Sequence, residues 1–119
     1  MTIDETFART FAAEWIAAWN SHDLSQILSH YEDNVELTSP MALKLLGDGT
    51  VRGKGALGEY FSIGLKAYSD LKFDLIEVLW GLETLVLVYK NNVRGNKTAE
   101  VMRITTAGKI DRIWANYDQ

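Results

Sequence analysis

The stretch AEWIAAWNSHDLSQILSHYEDNVELTSP, residues 13–40, carries two Trp, two His and five acidic residues, and its hydrophobic pattern changes twice along its length. From Asp4 to about Asn20 the apolar residues recur at intervals of three and four. At about 100° per residue, Phe11, Trp15 and Trp19 fall within an arc of about 80°, with Ala8, Ala12 and Ala18 beside them and Thr6, Arg9 and Asn20 turned away. The spacing predicts a helix with an aromatic face. Ser21 and His22 break it, and Asp23 can cap a second helix, with Gln26 completing a capping box. Leu24, Ile27, Leu28 and Tyr31 then line the second helix's inner face. Val35 to Ser39 alternates as a strand does, sending Val35, Leu37 and Ser39 one way and Glu36 and Thr38 the other, and Pro40 stops it.

Downstream of this stretch, Gly47 to Gly55 reads as a loop, and Ala56 to about Lys66 as a third helix with Leu57, Tyr60, Phe61 and Leu65 inward. The remainder is strand-rich: Leu71 to Trp80, Thr84 to Lys90, Thr98 to Thr105 and Lys109 to Tyr117. Short connections at Gly81-Leu82, Asn91 to Asn96 and Ala107-Gly108 suit hairpins, so these strands should form an antiparallel meander. Helices first and strands later argue for an α+β fold, with helices on one face of a sheet. The other face would carry Trp80, Val86, Val88, Val101 and Trp114. An apolar face of that size predicts a homodimer through the sheet.

Composition limits the function classes. With 119 residues the chain is expected to be one domain, 1–119, without room for a cofactor domain beside a substrate domain. A net charge of -4 offers no basic patch for nucleic acid or an anionic membrane, and Lys90, Arg94 and Lys97 gather in what reads as a solvated hairpin tip. Without Cys there is no disulfide, thiolate nucleophile or Cys-ligated zinc. The acidic start MTIDETFART resembles neither a signal peptide nor a membrane span, so a cytoplasmic location is expected. His22 and His30 lack the spacing that presents two ligands from one helix face, and no metal site is expected. Residues 53–58, GKGALG, match the dinucleotide pattern GxGxxG, but the strands around them read as antiparallel and no parallel βαβ unit is in prospect.

The run AWNSHDLSQILSHYEDNVELTSP, then VRGKGALGEYF, then AEVMRI with GKIDRI close behind, resembles the SnoaL-like branch of the nuclear transport factor 2-like superfamily, which also includes ketosteroid isomerase, scytalone dehydratase and limonene epoxide hydrolase. The resemblance covers nearly the whole chain. It implies a cone in which a long N-terminal helix, with two further helices of the N-terminal half, lies across the concave face of a bent, mostly antiparallel sheet and leaves an apolar cavity open at one end. In that cone Trp15 and Trp19 would look into the cavity and Ser39 would reach its wall.

The resemblance to ketosteroid isomerase puts Ser39 at the position of the general base, Trp15 at that of the oxyanion tyrosine and Glu100 at that of the protonated acid. Only the acid is kept in kind. A Ser hydroxyl without a partner base does not abstract a carbon-bound proton, so steroid isomerisation is not expected, and a strand-end Ser39 can instead bond nearby backbone. The epoxide hydrolase's Asp/Arg/Asp relay has no matching set of positions. Alternation puts Glu100, Met102 and Ile104 on one strand face and Ala99, Val101 and Arg103 on the other. Periodicity leaves open whether Glu100 points inward or pairs outward with a lysine such as Lys90; the resemblance implies inward, with a carboxyl pKa raised by desolvation. Trp15, Trp19, Tyr31, Phe61, Met102 and Tyr117 would then form a wall suited to a flat or cyclic apolar ligand, needing no cofactor. Two readings follow: a small-molecule-binding protein of isomerase, cyclase or dehydratase type with Glu100 as acid, and a non-catalytic dimeric binding module.

Overall fold

The computed structural model describes residues 2–118; the ends of the expected domain 1–119, Met1 and Gln119, lie outside the described residues. Helix α1 (Glu5–Ser21) starts where the Asp4 carboxylate accepts the Phe7 N–H at 2.8 Å. It buries Ala8, Phe11, Ala12, Trp15, Ala18 and Trp19, the face legible in its spacing. It ends at His22, whose left-handed backbone (φ 60°) brings its N–H to the Trp19 carbonyl at 3.1 Å. Asn20, expected to face away, instead clamps the helix end to the sheet: its amide donates to the Phe73 carbonyl at 3.0 Å and its oxygen accepts the Phe73 N–H at 2.8 Å.

Helix α2 (Leu24–Leu28) is capped by Asp23, which accepts the Gln26 N–H at 3.3 Å. Tyr31 does not continue it. The Ile110 N–H takes the His30 carbonyl at 2.8 Å and draws the chain into the sheet, so Tyr31 opens strand β1 (Tyr31–Thr38), in which Val35 and Leu37 are buried. Pro40 ends that strand and also begins a helix absent from the sequence reading, α3 (Pro40–Leu46): the proline occupies its first turn, where no N–H is needed, and the Ser39 hydroxyl accepts the Met41 N–H at 3.1 Å. Gly47 (φ 77°) closes it.

The segment expected as a loop, 47–55, contains a short strand, β2 (Thr50–Arg52), antiparallel to β1. Helix α4 (Lys54–Ala67) follows directly, burying Leu57 and Phe61 while Tyr60 and Leu65 are half-buried. The described residues therefore hold four helices where three were expected. Two of the three glycines of the GxGxxG pattern have structural roles here. Gly53 (φ 89°) makes the turn between β2 and α4, and a Cβ on Gly58 would stand 3.1 Å from Leu28 Cδ1 of α2.

Strands β3 (Phe73–Trp80), β4 (Thr84–Asn91), β5 (Lys97–Ile104) and β6 (Ile110–Tyr117) form the expected antiparallel meander, completed by β1 lying parallel to β6. The fold is α+β with a six-stranded mixed sheet in the order β2-β1-β6-β5-β4-β3. Irregularities between Leu75 and Glu77, Tyr31 and Glu36, and Arg103 and Ile104 bend the strands. Helix α1 packs on β3 and α4 on β1, and the core lies between them and one sheet face.

Register fixes which residues share a face. Leu85, Met102, Ile113 and Leu37 form one buried row across β4, β5, β6 and β1; Leu87, Glu100 and Ala115 form the next, and Tyr89, Thr98 and Tyr117 the one after. The opposite face carries the row Leu79, Val86, Val101 and Trp114. Trp80 is not part of it, contrary to expectation. The extra residue at Ile76 inverts the alternation, so Trp80 pairs with Leu85 and lies on the helix side, where the Arg9 guanidinium sits 5.5 Å from its ring centre.

Trp15, 1% exposed, lies nearly parallel to Phe73 with centroids 6.0 Å apart and donates its indole N–H to the Tyr31 hydroxyl at 3.0 Å. Trp15→Ala should cost about 3–5 kcal/mol of stability in chemical denaturation, because it opens a large cavity and strips a buried hydroxyl of its donor. A loss under about 1 kcal/mol would show that the stack does not hold α1 to the sheet.

Candidate functional site

Beyond the last turn of α1 the helices leave part of the sheet's inner face uncovered. A cavity of about 330 Å³ opens there between α3, α4 and the strands, at the lower end of the range for small-molecule sites. Of the residues expected to line a site, Trp19, Ser39, Phe61, Glu100 and Tyr117 border it. Trp15, Tyr31 and Met102 do not: they are fully buried behind it. The reason is their position along α1 and the strands. Trp15 sits one turn before Trp19 and is covered by Phe73, and Met102 stands one row deeper than Glu100.

Glu100 is 8% exposed and occupies the cavity's inner end, in the row with Leu87 and Ala115. Lys90, the alternative outward partner, pairs in register with Lys97. The carboxylate takes no part in any ion pair among the described residues. Its Oε2 accepts the Tyr89 hydroxyl at 3.0 Å. Burial pushes the Glu100 carboxyl up to about 7, against the opposing pull of the Tyr89 hydrogen bond. Desolvation and the Glu100 charge together hold the Tyr31, Tyr89 and Tyr117 phenols above their usual range, and Tyr60 shifts the same way despite the nearby Ser39 hydroxyl. One carboxyl thus stands among four neutral phenols.

Ser39 has two assignments. Its hydroxyl caps α3 and lies 3.2 Å from the Tyr117 hydroxyl. The Tyr31 oxygen already accepts from Trp15; the Trp19 indole N–H bears on the same oxygen without completing a hydrogen bond, and is a buried side-chain donor left without a partner. Neither histidine faces the cavity. His22 Nε2 is 2.6 Å from the Leu71 carbonyl, and His30 Nδ1 is 3.1 Å from that of Gln26. Among the described residues no group of His, Cys, Asp or Glu could hold a metal ion.

Tyr89 and Phe73 were not singled out from sequence, and Tyr60 was read only as an inward position of its helix; all three border the cavity. Tyr89 alternates with Leu85 and Leu87 along β4, and only the register, Leu87 opposite Glu100, reveals that its hydroxyl meets the carboxylate. The roof residues Met41, Lys44 and Leu45 were missed with α3 itself.

A family model described as a SnoaL-like domain matches residues 12–113. The chain belongs to the SnoaL-like family. A solved SnoaL-like protein of unknown function from Burkholderia thailandensis E264 is 36% identical over 100% of both chains, with a TM-score of 0.95. SalBIII, an epoxide hydrolase/cyclase-like enzyme in pyran ring formation in the polyether salinomycin, is 17% identical with a TM-score of 0.75, covering 98% of this chain and 94% of its own. TerC, co-crystallised with polyporic acid, is 18% identical with a TM-score of 0.77, covering 94% and 92%. At that identity these two share the fold. No curated protein matches the chain. No helix among the described residues is long and apolar enough to cross a membrane.

For this SnoaL-like chain the sign of the pH effect follows from the raised carboxyl. Below the unfolded value near 4.5 both states are protonated and Glu100 costs nothing; as pH climbs toward about 7 the unfolded chain ionises first and stability is lost. The loss levels off above that, at about 3 kcal/mol. Glu100→Gln should therefore stabilise the protein by about 1–3 kcal/mol at pH 8 and leave it nearly unchanged at pH 4. Denaturant titrations at both pH values decide it, and equal stabilities at pH 8 would mean that the carboxylate is solvated or paired. Tyr89→Phe should act oppositely: removing the donor to the ionised form should destabilise by about 1–3 kcal/mol, more at pH 8 than at pH 4.

Proposed function

We propose that this protein binds a small cyclic or apolar molecule in the cavity and acts on it by cofactor-independent acid–base chemistry of the isomerase, cyclase or dehydratase type, with Glu100 as the acid. The observation that carries this reading is a buried carboxyl, without an ion pair among the described residues, at the inner end of an apolar-walled cavity. A group poised near neutrality can donate to a ligand carbonyl when protonated and, in a separate step, accept a proton when ionised, the kind of proton transfer that isomerisation, ring closure and dehydration use. Trp19, Phe61 and Phe73 supply flat surface for the body of the ligand, and Ser39 and Tyr117 a second polar point. The uses known for two fold relatives, pyran ring formation for SalBIII and polyporic acid binding for TerC, agree with cyclic ligands in a cavity of this kind. Trp15, Tyr31 and Met102 act in this reading as the packing behind the wall.

Steroid isomerisation lies outside the proposal. Ser39 stands before Pro40 where a carboxylate base would be required, and its hydroxyl is engaged as a helix cap. A second reading, a non-catalytic dimeric binding module, draws on that missing base and on the apolar row Leu79, Val86, Val101 and Trp114. Dimerisation through that face is compatible with either reading, and Val101→Glu should shift the mass measured by light scattering from dimer to monomer. A monomer at micromolar concentration in the unmutated protein would count against the interface.

Binding of fused bicyclic ketones and their parent hydrocarbons, followed by tryptophan fluorescence, tests the acid. Affinity for the ketones should fall about tenfold between pH 6 and pH 8, as the protonated fraction does, and be flat for the hydrocarbons and in Glu100→Gln. Ketone binding independent of pH in the unmutated protein would remove Glu100 from the proposed role.

A further inference from the structure

The mouth of the cavity has a different chemistry from its inner end. Leu45 of α3, Ile63 of α4, Tyr68 just after it, and Val93 in the loop between β4 and β5 border the opening and are exposed. Between them stand Lys44 and Arg94, both exposed. Neither enters an ion pair among the described residues. No Asp borders the cavity, and its one Glu is Glu100. In a chain of net charge -4, the lining of this opening thus carries two cations that form no ion pair among the described residues. Their elements are anchored: the Asn91 side-chain oxygen accepts the Val93 and Arg94 N–H groups at 3.0 and 2.9 Å, and α3 is capped at both ends.

These features orient a ligand. An anionic group at the inner end would be desolvated among aromatic walls beside a carboxyl that is itself ready to ionise, which is unfavourable on both counts. At the mouth the same group keeps its water and meets Lys44 and Arg94, while an apolar body covers Trp19, Phe61 and Phe73. We propose that the cavity takes an amphiphile inserted head-out: an anionic head group held by Lys44 and Arg94, an apolar cyclic body, and a hydrogen-bond acceptor at the inner end facing Glu100. This rests on the cavity being the ligand site, and adds the class and direction of the ligand.

The probes are acetylphenyl alkanoates of graded chain length, the corresponding alkyl phosphates, and the methyl esters of the acids, titrated calorimetrically near pH 6.5. At about 20 mM salt the best anionic probe should bind about tenfold more tightly than its neutral ester, and the tighter of carboxylate and phosphate identifies the head group. In a Lys44→Gln, Arg94→Gln double variant, or at about 0.5 M salt, the advantage should shrink to about twofold while ester affinity stays the same. Esters that bind as well as the acids would overturn the proposal and leave the cavity reading standing. An anionic preference that survives in the double variant would overturn it too, since the cations would not be the contacts. If no probe of any head group binds, the cavity reading fails and this proposal with it.

Discussion

The near-parallel stack of Trp15 on Phe73, locked by the two hydrogen bonds between Asn20 and the Phe73 backbone, sets how far α1 reaches over the sheet. Toward the helix N-terminus from that contact the inner face of α1, Ala8, Phe11 and Ala12, is buried in the core. One turn later, Trp19 meets Phe61 edge-on at 4.7 Å and Phe73 at 5.3 Å, and its outer side is left uncovered. The cavity therefore exists because the helix stops, at the left-handed His22, before the sheet does. Its walls belong to the hydrophobic core as much as to a binding site, so stability and recognition draw on the same aromatic rings.

Placing Glu100 one residue pair from the end of that packed core carries a definite energetic consequence. A carboxyl there must either lose its charge or be compensated, and among the described residues only the Tyr89 hydroxyl donates to it. A leucine at the same position, continuing the row begun by Leu87, would remove the cost of a buried charge at neutral pH but would leave the Tyr89 hydroxyl without its acceptor. Retaining an ionisable group where an apolar one would fit is the pattern associated with functional sites, where stability is given up for reactivity. The surrounding phenols stay neutral because ionising any of them beside Glu100 would add a second buried charge. Ser39 shows the complementary case: a polar residue at the wall whose hydroxyl is accounted for by the local backbone, since a helix begins immediately after it.

Much of this was readable from the chain alone. The aromatic face of α1, the cap at Asp23, the inward side of Val35 and Leu37, and the four-strand meander all follow from periodicity and turn residues, which are local properties. The resemblance to SnoaL-like proteins then turned Glu100 inward, where alternation by itself left two faces equivalent. Local signals misled in several places, Pro40 and Tyr31 among them. Pro40 was read as a strand stop when it also starts a helix, because the same missing N–H suits both positions. Tyr31 was assigned to α2 by its spacing, although a backbone hydrogen bond from Ile110, far away in sequence, commits it to the sheet.

By itself the sequence determined the α+β class from residue type and short-range order, and its resemblance to SnoaL-like proteins supplied the family and the inward reading of Glu100. Only the tertiary structure decided which aromatic residues face the cavity and which lie behind it, that Tyr89 is the partner of Glu100, that Trp80 falls on the helix side, and that Lys44 and Arg94 border the same cavity. Those facts depend on strand register, on a single extra residue at Ile76 and on where α1 ends. They are settled by contacts between segments distant in the chain, and no local pattern encodes them.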